Sequence, residues 1–212
     1  MIELKLKQQS EEWYQARLGK VSGSRMKLAL GSPKVQNTFI SELIAEQVTE
    51  MPAVSGTSRA MERGNEIEPF SRAHYKKITG IELQEVGMCI HEKYDWLTNS
   101  PDGLTEDRTH AGEFKSPDSK KMIEYIRYPM EAWKDYGDQV INYFMVNEKL
   151  ETLDFVLYDP RIKLEKYQMI IKHYTREELR ADIDQAWLML ENFKSKWDME
   201  VSQYGFKLSI FD

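Results

Sequence analysis

Ser100-Pro101-Asp102-Gly103-Leu104, a short polar loop and then Gly112-Glu113-Phe114-Lys115-Ser116 limit the possible folds more tightly than any other stretch of the chain. Trp96 to Ser100 and Ala111 to Lys115 both have strand composition, and Gly103, Asp107 and Gly112 supply turn chemistry between them. The expectation is a β-hairpin. Opposed side chains on one face of an antiparallel pair have Cβ atoms roughly 4.5–5.5 Å apart, so Asp102 and Glu113 can share one cation. Residues two apart on a strand share a face, so Glu113 and Lys115 enter the same space while Phe114 enters the core. Two carboxylates beside an ammonium suit a hard divalent ion such as Mg²⁺, with the lysine orienting water or stabilising charge on a phosphate. The chemistry suggested is phosphodiester hydrolysis.

Either half of this stretch alone is an ordinary turn or an ordinary half-buried strand. Together and in this order they resemble the Pro-Asp…Glu-x-Lys signature of the restriction-endonuclease-like nuclease superfamily. Upstream, Ser10-Glu11-Glu12-Trp13 predicts a helix start with Ser10 as cap, running to Leu18, and Val21-Ser22-Gly23-Ser24-Arg25 offers hydroxyls and backbone N–H groups of the kind that bind phosphate. The pattern Ser10-x-x-Trp13…Arg17-x-Gly19…Ser24 is similar to the opening motif of the phage lambda exonuclease and YqaJ-type viral recombinase family. That resemblance implies that Arg17 and Ser24 hold the 5′-phosphate of a DNA end.

Helices are predicted from Thr38 to Thr49 and, after the breaker-rich loop Met51 to Gly56, around Glu66 to Ile78. In the second, Ile67, Phe70, His74 and Ile78 fall on one face, with Glu66 and Glu68 on its flanks; periodicity does not choose between the two glutamates. Gly64-x-x-x-Glu68-Pro69…Arg72 resembles the family's second motif, which selects Glu68 as a contributor to the metal site. Pro69 marks a helix start or a kink. Ile81 to His91 reads as a strand before the hairpin. Helices follow from Lys120 to Tyr128 and, after Pro129, from Glu131 to Asn147, with Tyr136, Gln139 and Tyr143 on one face. Gln139-x-x-x-Tyr143 matches a motif that follows the Glu-x-Lys strand in RecB-like nucleases. Leu153 to Tyr158 and Tyr167 to His173 are predicted strands and Thr175 to Ser202 the last helix; Tyr158-Asp159-Pro160-Arg161 between the strands also occurs in the lambda-type family.

The order implies an α/β protein of restriction-endonuclease-like fold, a central mixed β-sheet flanked by helices, as a single domain over 1–212 with its nuclease core at about 60–175. Net charge is −6, which argues against a protein that coats nucleic acid and requires any DNA site to be local. Cys89 is the only cysteine, so no intrachain disulfide or multi-cysteine zinc site can form. No export signal or 18-residue apolar run is read, so a cytoplasmic protein without membrane contact is expected, phage or prophage encoded in a bacterial host by resemblance.

The resemblance further implies a Mg²⁺-dependent 5′→3′ exonuclease on double-stranded DNA, with two ions and Mn²⁺ as a substitute. Asp102, Glu113 and the Phe114 carbonyl would hold metal, Glu68 would add to it, and Lys115 would complete the catalytic set. Arg17, Ser24, Ser100, Gln139 and Arg161 are the candidate DNA contacts. A single-strand annealing protein as partner and a trimeric ring are implied in the same way. A DNA endonuclease and a non-catalytic DNA-end or recombinase-binding module are the alternatives.

Overall fold

The computed structural model describes residues 1–53, 59–203 and 205. A short strand β1 (Ile2–Leu4) leads to helix α1 (Glu11–Arg17), whose Ser10 hydroxyl accepts the Trp13 N–H as the sequence predicts. A 3-10 turn at Gly23–Arg25 passes directly into α2 (Met26–Ala29). Helix α3 (Pro33–Thr49) begins at Pro33 rather than Thr38, because proline fits the first helical turn, where its missing N–H is not needed. Of the expected loop from Met51 to Gly56, residues 54–56 lie outside the described residues.

In helix α4 (Arg59–Thr79), Pro69 lies in the interior, which excludes the helix-start alternative. One feature departs from the sequence reading. The apolar face does not enter the core: Phe70 is 67% and Ile78 57% exposed, whereas Ser71 and Tyr75 are buried. The reason is polar. The Tyr75 hydroxyl donates to Asp154 at 2.6 Å, its ring packs edge-on against Phe114, and Arg72 donates to the carbonyls of Asp102 and Leu83. Those partners orient the helix more strongly than its apolar stripe does. His74 is half-buried and stacks on Tyr158.

Strands β2 (Met88–Ile90) and β3 (Thr98–Asn99) join β1 in an antiparallel sheet, while β4 (Gly103–Leu104) pairs antiparallel with β5 (His110–Lys115). The expected hairpin therefore has a different first arm. Of the expected arm Trp96 to Ser100, Thr98–Asn99 form β3 in the other sheet, since Cys89 pairs with Asn99 and Ile90 with Thr98, and the strand paired with β5 starts only after Asp102. The long strand expected at Ile81 to His91 shrinks to β2 plus a single bridge from Gln84 to Leu104. Cys89 is buried.

Helices α5 (Ser119–Arg127) and α6 (Pro129–Val146) form the crossover to β6 (Thr152–Tyr158), which lies parallel to β5; the sheet continues antiparallel into β7 (Met169–Thr175). The last helix, α7 (Arg180–Gln203), starts later than Thr175 because β7 extends through that residue. The four-strand sheet is thus mixed, in the order β4-β5-β6-β7. Alternation divides its two faces. Ala111, Leu153, Phe155 and Leu157 pack into the large core with Val140, Ile141 and Phe144 of α6, whereas Phe114 and Val156 pack with Tyr75 of α4. Among the described residues no helix is long and apolar enough to cross a membrane.

On the α4 face, buried Asp154 accepts from Tyr75 and lies 2.7 Å from His173 Nδ1 and 3.5 Å from His110 Nε2. Burial pushes its pKa up, but the bonds with His110, Tyr75 and His173 outweigh that and hold it at about 2. A carboxylate whose folded pKa is depressed stabilises the protein above its unfolded pKa, and the contribution fades as pH falls through the folded value. Asp154→Asn is therefore expected to cost about 2 kcal/mol at neutral pH and to flatten the loss of stability between about pH 4 and pH 2. Thermal melts across that range measure both; an unchanged acid transition in the variant would show that this network carries no such load.

Candidate active site

The front of β5 and the loop before β4 form the floor of a cleft of about 880 Å³, lined by Gly23, Ser24, Glu68, Asp102, Lys115 and Gln139 among others. Because Gly103 pairs with Gly112, the register sets Asp102 opposite Glu113 one step further along, as the alternation argument requires. Glu113 is 2% exposed, and its burial is matched by three partners. Lys115 forms an ion pair with it, Gln139 donates to Oε1 at 2.6 Å, and the Tyr143 hydroxyl donates to Oε2. Gln139 and Tyr143 are four residues apart on α6, so one helical face delivers both donors. Tyr143 is held protonated by burial and by the nearby charges of Glu113 and Asp102, which push its pKa well up. Tyr143 is thus both a core residue and part of the site, a double role that its aromatic spacing alone does not reveal.

Asp102 accepts the Phe114 N–H at 2.7 Å, and burial together with the negative charges of Glu113 and Glu68 drives its pKa well above the usual carboxylate range. Burial acts against the Lys115 ammonium, but Glu113 and Asp102 overcome it and raise its pKa, so it stays charged. Glu68 lines the cleft, its pKa raised first by desolvation despite Arg72 at 3.8 Å, whereas Glu66 is exposed and outside the lining. The helix orientation thus turns Glu68, and not Glu66, toward the cleft. Arg72, quoted only as part of a motif, bridges the Asp102 carbonyl and the Glu68 carboxylate.

The donor set fits a hard cation. Oxygen groups of Asp102, Glu113 and Glu68 repel one another despite the nearby charges of Lys115 and Arg72, and such a set is relieved by a divalent ion of the Mg²⁺ class. Among the described residues, however, no three His, Cys, Asp or Glu side chains converge at metal-ligand spacing. Glu113 is turned toward Lys115 and α6, and Glu68 toward Arg72. Asp102 is left closest to Glu113 across the β4–β5 register, with the Phe114 N–H donated to it.

The predicted DNA contacts are dispersed. Ser24 lines the cleft, but Arg17 is outside the lining, donating to Ser22 Oγ at 3.0 Å and lying over the Trp13 ring at 4.1 Å. Its partner is Ser22, a hydroxyl that the run from Val21 to Arg25 contains without marking. Arg17 has no ion pair among the described residues, and burial, with repulsion from Arg25, lowers its pKa to about 10. Ser100 accepts the Trp13 indole N–H at 3.0 Å, which ties α1 to the loop carrying Asp102. Gln139 is spent on Glu113. Arg161 pairs with Asp159 at 2.7 Å and is outside the cleft lining. Lys27, Arg63 and Lys121 do line it, and nothing in their local sequence set them apart.

The sequence pattern of the YqaJ-like viral recombinase domain matches residues 12–150. Among solved structures, an alkaline exonuclease from Laribacter hongkongensis is 30% identical with a TM-score of 0.82, covering 94% of this chain and 98% of that one. The same exonuclease in complex with dAMP gives 29% identity and a TM-score of 0.77, covering 92% of this chain and 98% of that one. A phage-related exonuclease from Haemophilus somnus 129PT, 16% identical with a TM-score of 0.66 over 87% of this chain and 96% of that one, shares the fold. No curated protein matches the chain.

An ionised carboxylate whose pKa is raised on folding destabilises the folded state at neutral pH, and the penalty is relieved as pH falls through the folded pKa. Asp102→Asn keeps an acceptor for the Phe114 N–H and removes the charge. In chelator at pH 7–8 it is expected to raise Tm by roughly 2–4 °C. A lower Tm for this variant would mean that the carboxylates are not in conflict.

Proposed function

Because the chain belongs to the YqaJ-like viral recombinase family and has its restriction-endonuclease-like fold, we propose that it is a metal-dependent exonuclease that degrades double-stranded DNA from 5′ ends and leaves 3′ overhangs. One observation carries the reading: Asp102 and Lys115 line a cleft that also exposes Ser24, buried Glu113 is ion-paired to Lys115 beneath them, and Arg17, without an ion pair among the described residues, is bound to the neighbouring Ser22. Asp102, Glu113 and the Phe114 carbonyl would hold Mg²⁺, with Glu68 contributing to a second ion and Mn²⁺ able to substitute. When bound, the metal supplies Lewis-acid polarisation of the phosphoryl oxygen and acidifies water.

The chain's own groups do the rest. Gln139 and Tyr143 occupy one direction at each Glu113 oxygen and hold the carboxylate still. Lys115, kept charged, orients the attacking water and stabilises negative charge developing at phosphorus. Arg72 fixes the main chain at Asp102. A half-buried guanidinium without a carboxylate partner is suited to a phosphate, and a terminal phosphate offers more charge and more free oxygens than an internal one. This end-binding chemistry favours an exonuclease over an endonuclease, and the complete carboxylate-lysine set favours catalysis over a binding module. The proposal extends to one domain over 1–212, acting in the cytoplasm of a phage-bearing bacterium, with a single-strand annealing protein as partner and a ring-shaped homotrimer as the working form.

Asp102→Ala, Glu113→Ala and Lys115→Ala are each expected to abolish hydrolysis of linear duplex in Mg²⁺, and Glu68→Ala to be far more damaging than Glu66→Ala. Activity in a folded Asp102 or Glu113 variant would sink the metal site. On substrate ends, duplex with a 5′-phosphate should be degraded several times and up to about tenfold faster than 5′-hydroxyl duplex, the equivalent of about 1.4 kcal/mol at most, and covalently closed circles should resist. Arg17→Ala should erase most of the preference. Rapid cutting of closed circles would promote the endonuclease instead.

A further inference from the structure

The loop that carries the end-binding groups is fastened to α3 at two points, and both converge on one buried carboxylate. Glu46 Oε2 accepts the Gly19 N–H at 3.0 Å and the Arg25 Nη1–H at 2.8 Å. Gly19 stands at φ +63°, and a Cβ there would lie 2.3 Å from Gln47 Cγ, so the turn after α1 rests directly on α3 and has no room for a side chain. At the other end Arg25 lies over the Phe39 ring at 4.7 Å and reaches Glu42 at 3.7 Å. Between the two fastened points are Ser22, which holds Arg17, and Ser24, which lines the cleft.

Resting on the reading of Arg17 as an end-phosphate ligand, we propose that Glu46 is the positioning residue of that subsite: it fixes the 19–25 loop and so sets the preference for a phosphorylated 5′ end. Charge and geometry act together. Arg17 and Arg25 repel each other, and Glu46 is the carboxylate that offsets both. Because Arg25 uses the Glu46 charge in a direct ion pair, Arg17 is left with only a hydroxyl and an indole face and stays open to an incoming anion. Without Glu46 the Gly19 N–H loses its acceptor, the two guanidiniums separate, and the Ser22 and Ser24 hydroxyls lose their register with Arg17. Glu42 binds Arg25 only, at longer range, and does not touch Gly19.

Steady-state digestion of matched duplexes with 5′-phosphate or 5′-hydroxyl ends tests this. Glu46→Gln should raise KM for the phosphorylated duplex about tenfold, the equivalent of about 1.4 kcal/mol, with kcat within about twofold, so that the KM advantage of the phosphate is lost. Glu46→Asp, which keeps the charge but withdraws it by one methylene, should fall between, and Glu42→Gln should keep the full preference. Thermal melts establish that each variant is folded; if Glu46→Gln is not, Glu46→Asp carries the test, and full preference in it overturns the inference. A wild-type preference retained in folded Glu46→Gln, or a loss confined to kcat, also overturns it while leaving Arg17 as phosphate ligand. Absence of any preference in the wild type removes the end-binding role of Arg17, and that of Glu46 with it.

Discussion

A carboxylate buried in the middle of a sheet is the constraint on which the rest of this structure depends. Removing an ion the size of Glu113 from water costs several kcal/mol unless charge and hydrogen bonds replace the lost hydration. Here the replacement comes from three directions: Lys115 two residues along the same strand, and Gln139 and Tyr143 one turn apart on α6. The arrangement works only if α6 lies across the front of β5 in one rotational setting. That setting follows from the crossover, because the same helix must bury Val140, Ile141 and Phe144 against Leu153, Phe155 and Leu157 of the sheet. Packing and polar partnering thus select the same docking of α6, as expected of a sequence whose local and global preferences agree.

What could be read from the chain alone follows the range of the forces involved. Ser10 as a helix cap and the period-two split of Glu113, Phe114 and Lys115 are local, and each is found as expected. The convergence of Asp102 with Glu113 was also legible, but for a partly wrong reason: the arm that pairs with β5 is Gly103–Leu104, and Thr98–Asn99 belong to the first sheet. Strand pairing between segments distant in sequence is decided by which edges are free, which composition does not encode. Helix α4 failed for a different reason. Its apolar stripe is genuine, but Tyr75 and Arg72 face the protein because Asp154 and two main-chain carbonyls await them. A hydrophobic pattern is blind to such partners. Ser22 and Glu46 escaped notice for the same reason, since each acquires its meaning only from a group brought close by folding.

The two faces of the four-strand sheet divide stability from chemistry. On the α4 side, Asp154 has more donors than burial can offset, and its charged form is favoured by folding. On the α6 side, Asp102 is in the opposite condition, its charged form disfavoured by burial and by two other carboxylates. The residues that knit α4 to the sheet therefore stabilise the scaffold on which a cluster of mutually repelling carboxylates is held. Proteins commonly keep such unfavourable polar groups only where function requires them and stabilise the surroundings by other means. Phe114 is the partition between the two: its ring belongs to the back, packed on Tyr75, and its N–H to the front, donated to Asp102.

Charge accounting in the cleft indicates how a chain of net charge −6 could engage a polyanion at all. Lys121 is already neutralised by Asp135 at 2.9 Å and Glu124 at 3.3 Å, and Arg63 is engaged with the Ser116 carbonyl. Lys27 faces Asp138, whose pKa is raised by burial more than Lys27 lowers it. Against these stand Glu68, Asp102, Asp118, Asp135 and Asp138 in the same lining. Fixed positive charge is too sparse here to hold DNA by counterion release alone. On the proposed reading, divalent ions at Asp102 and Glu113 would invert the sign of the floor and make binding and chemistry depend on the same cations. Next to the cleft, the Arg17 guanidinium has no ion pair among the described residues, so on the same reading the end of a strand would be recognised where the chain has left a charge open, and the scissile bond would be drawn to where metal ions supply one.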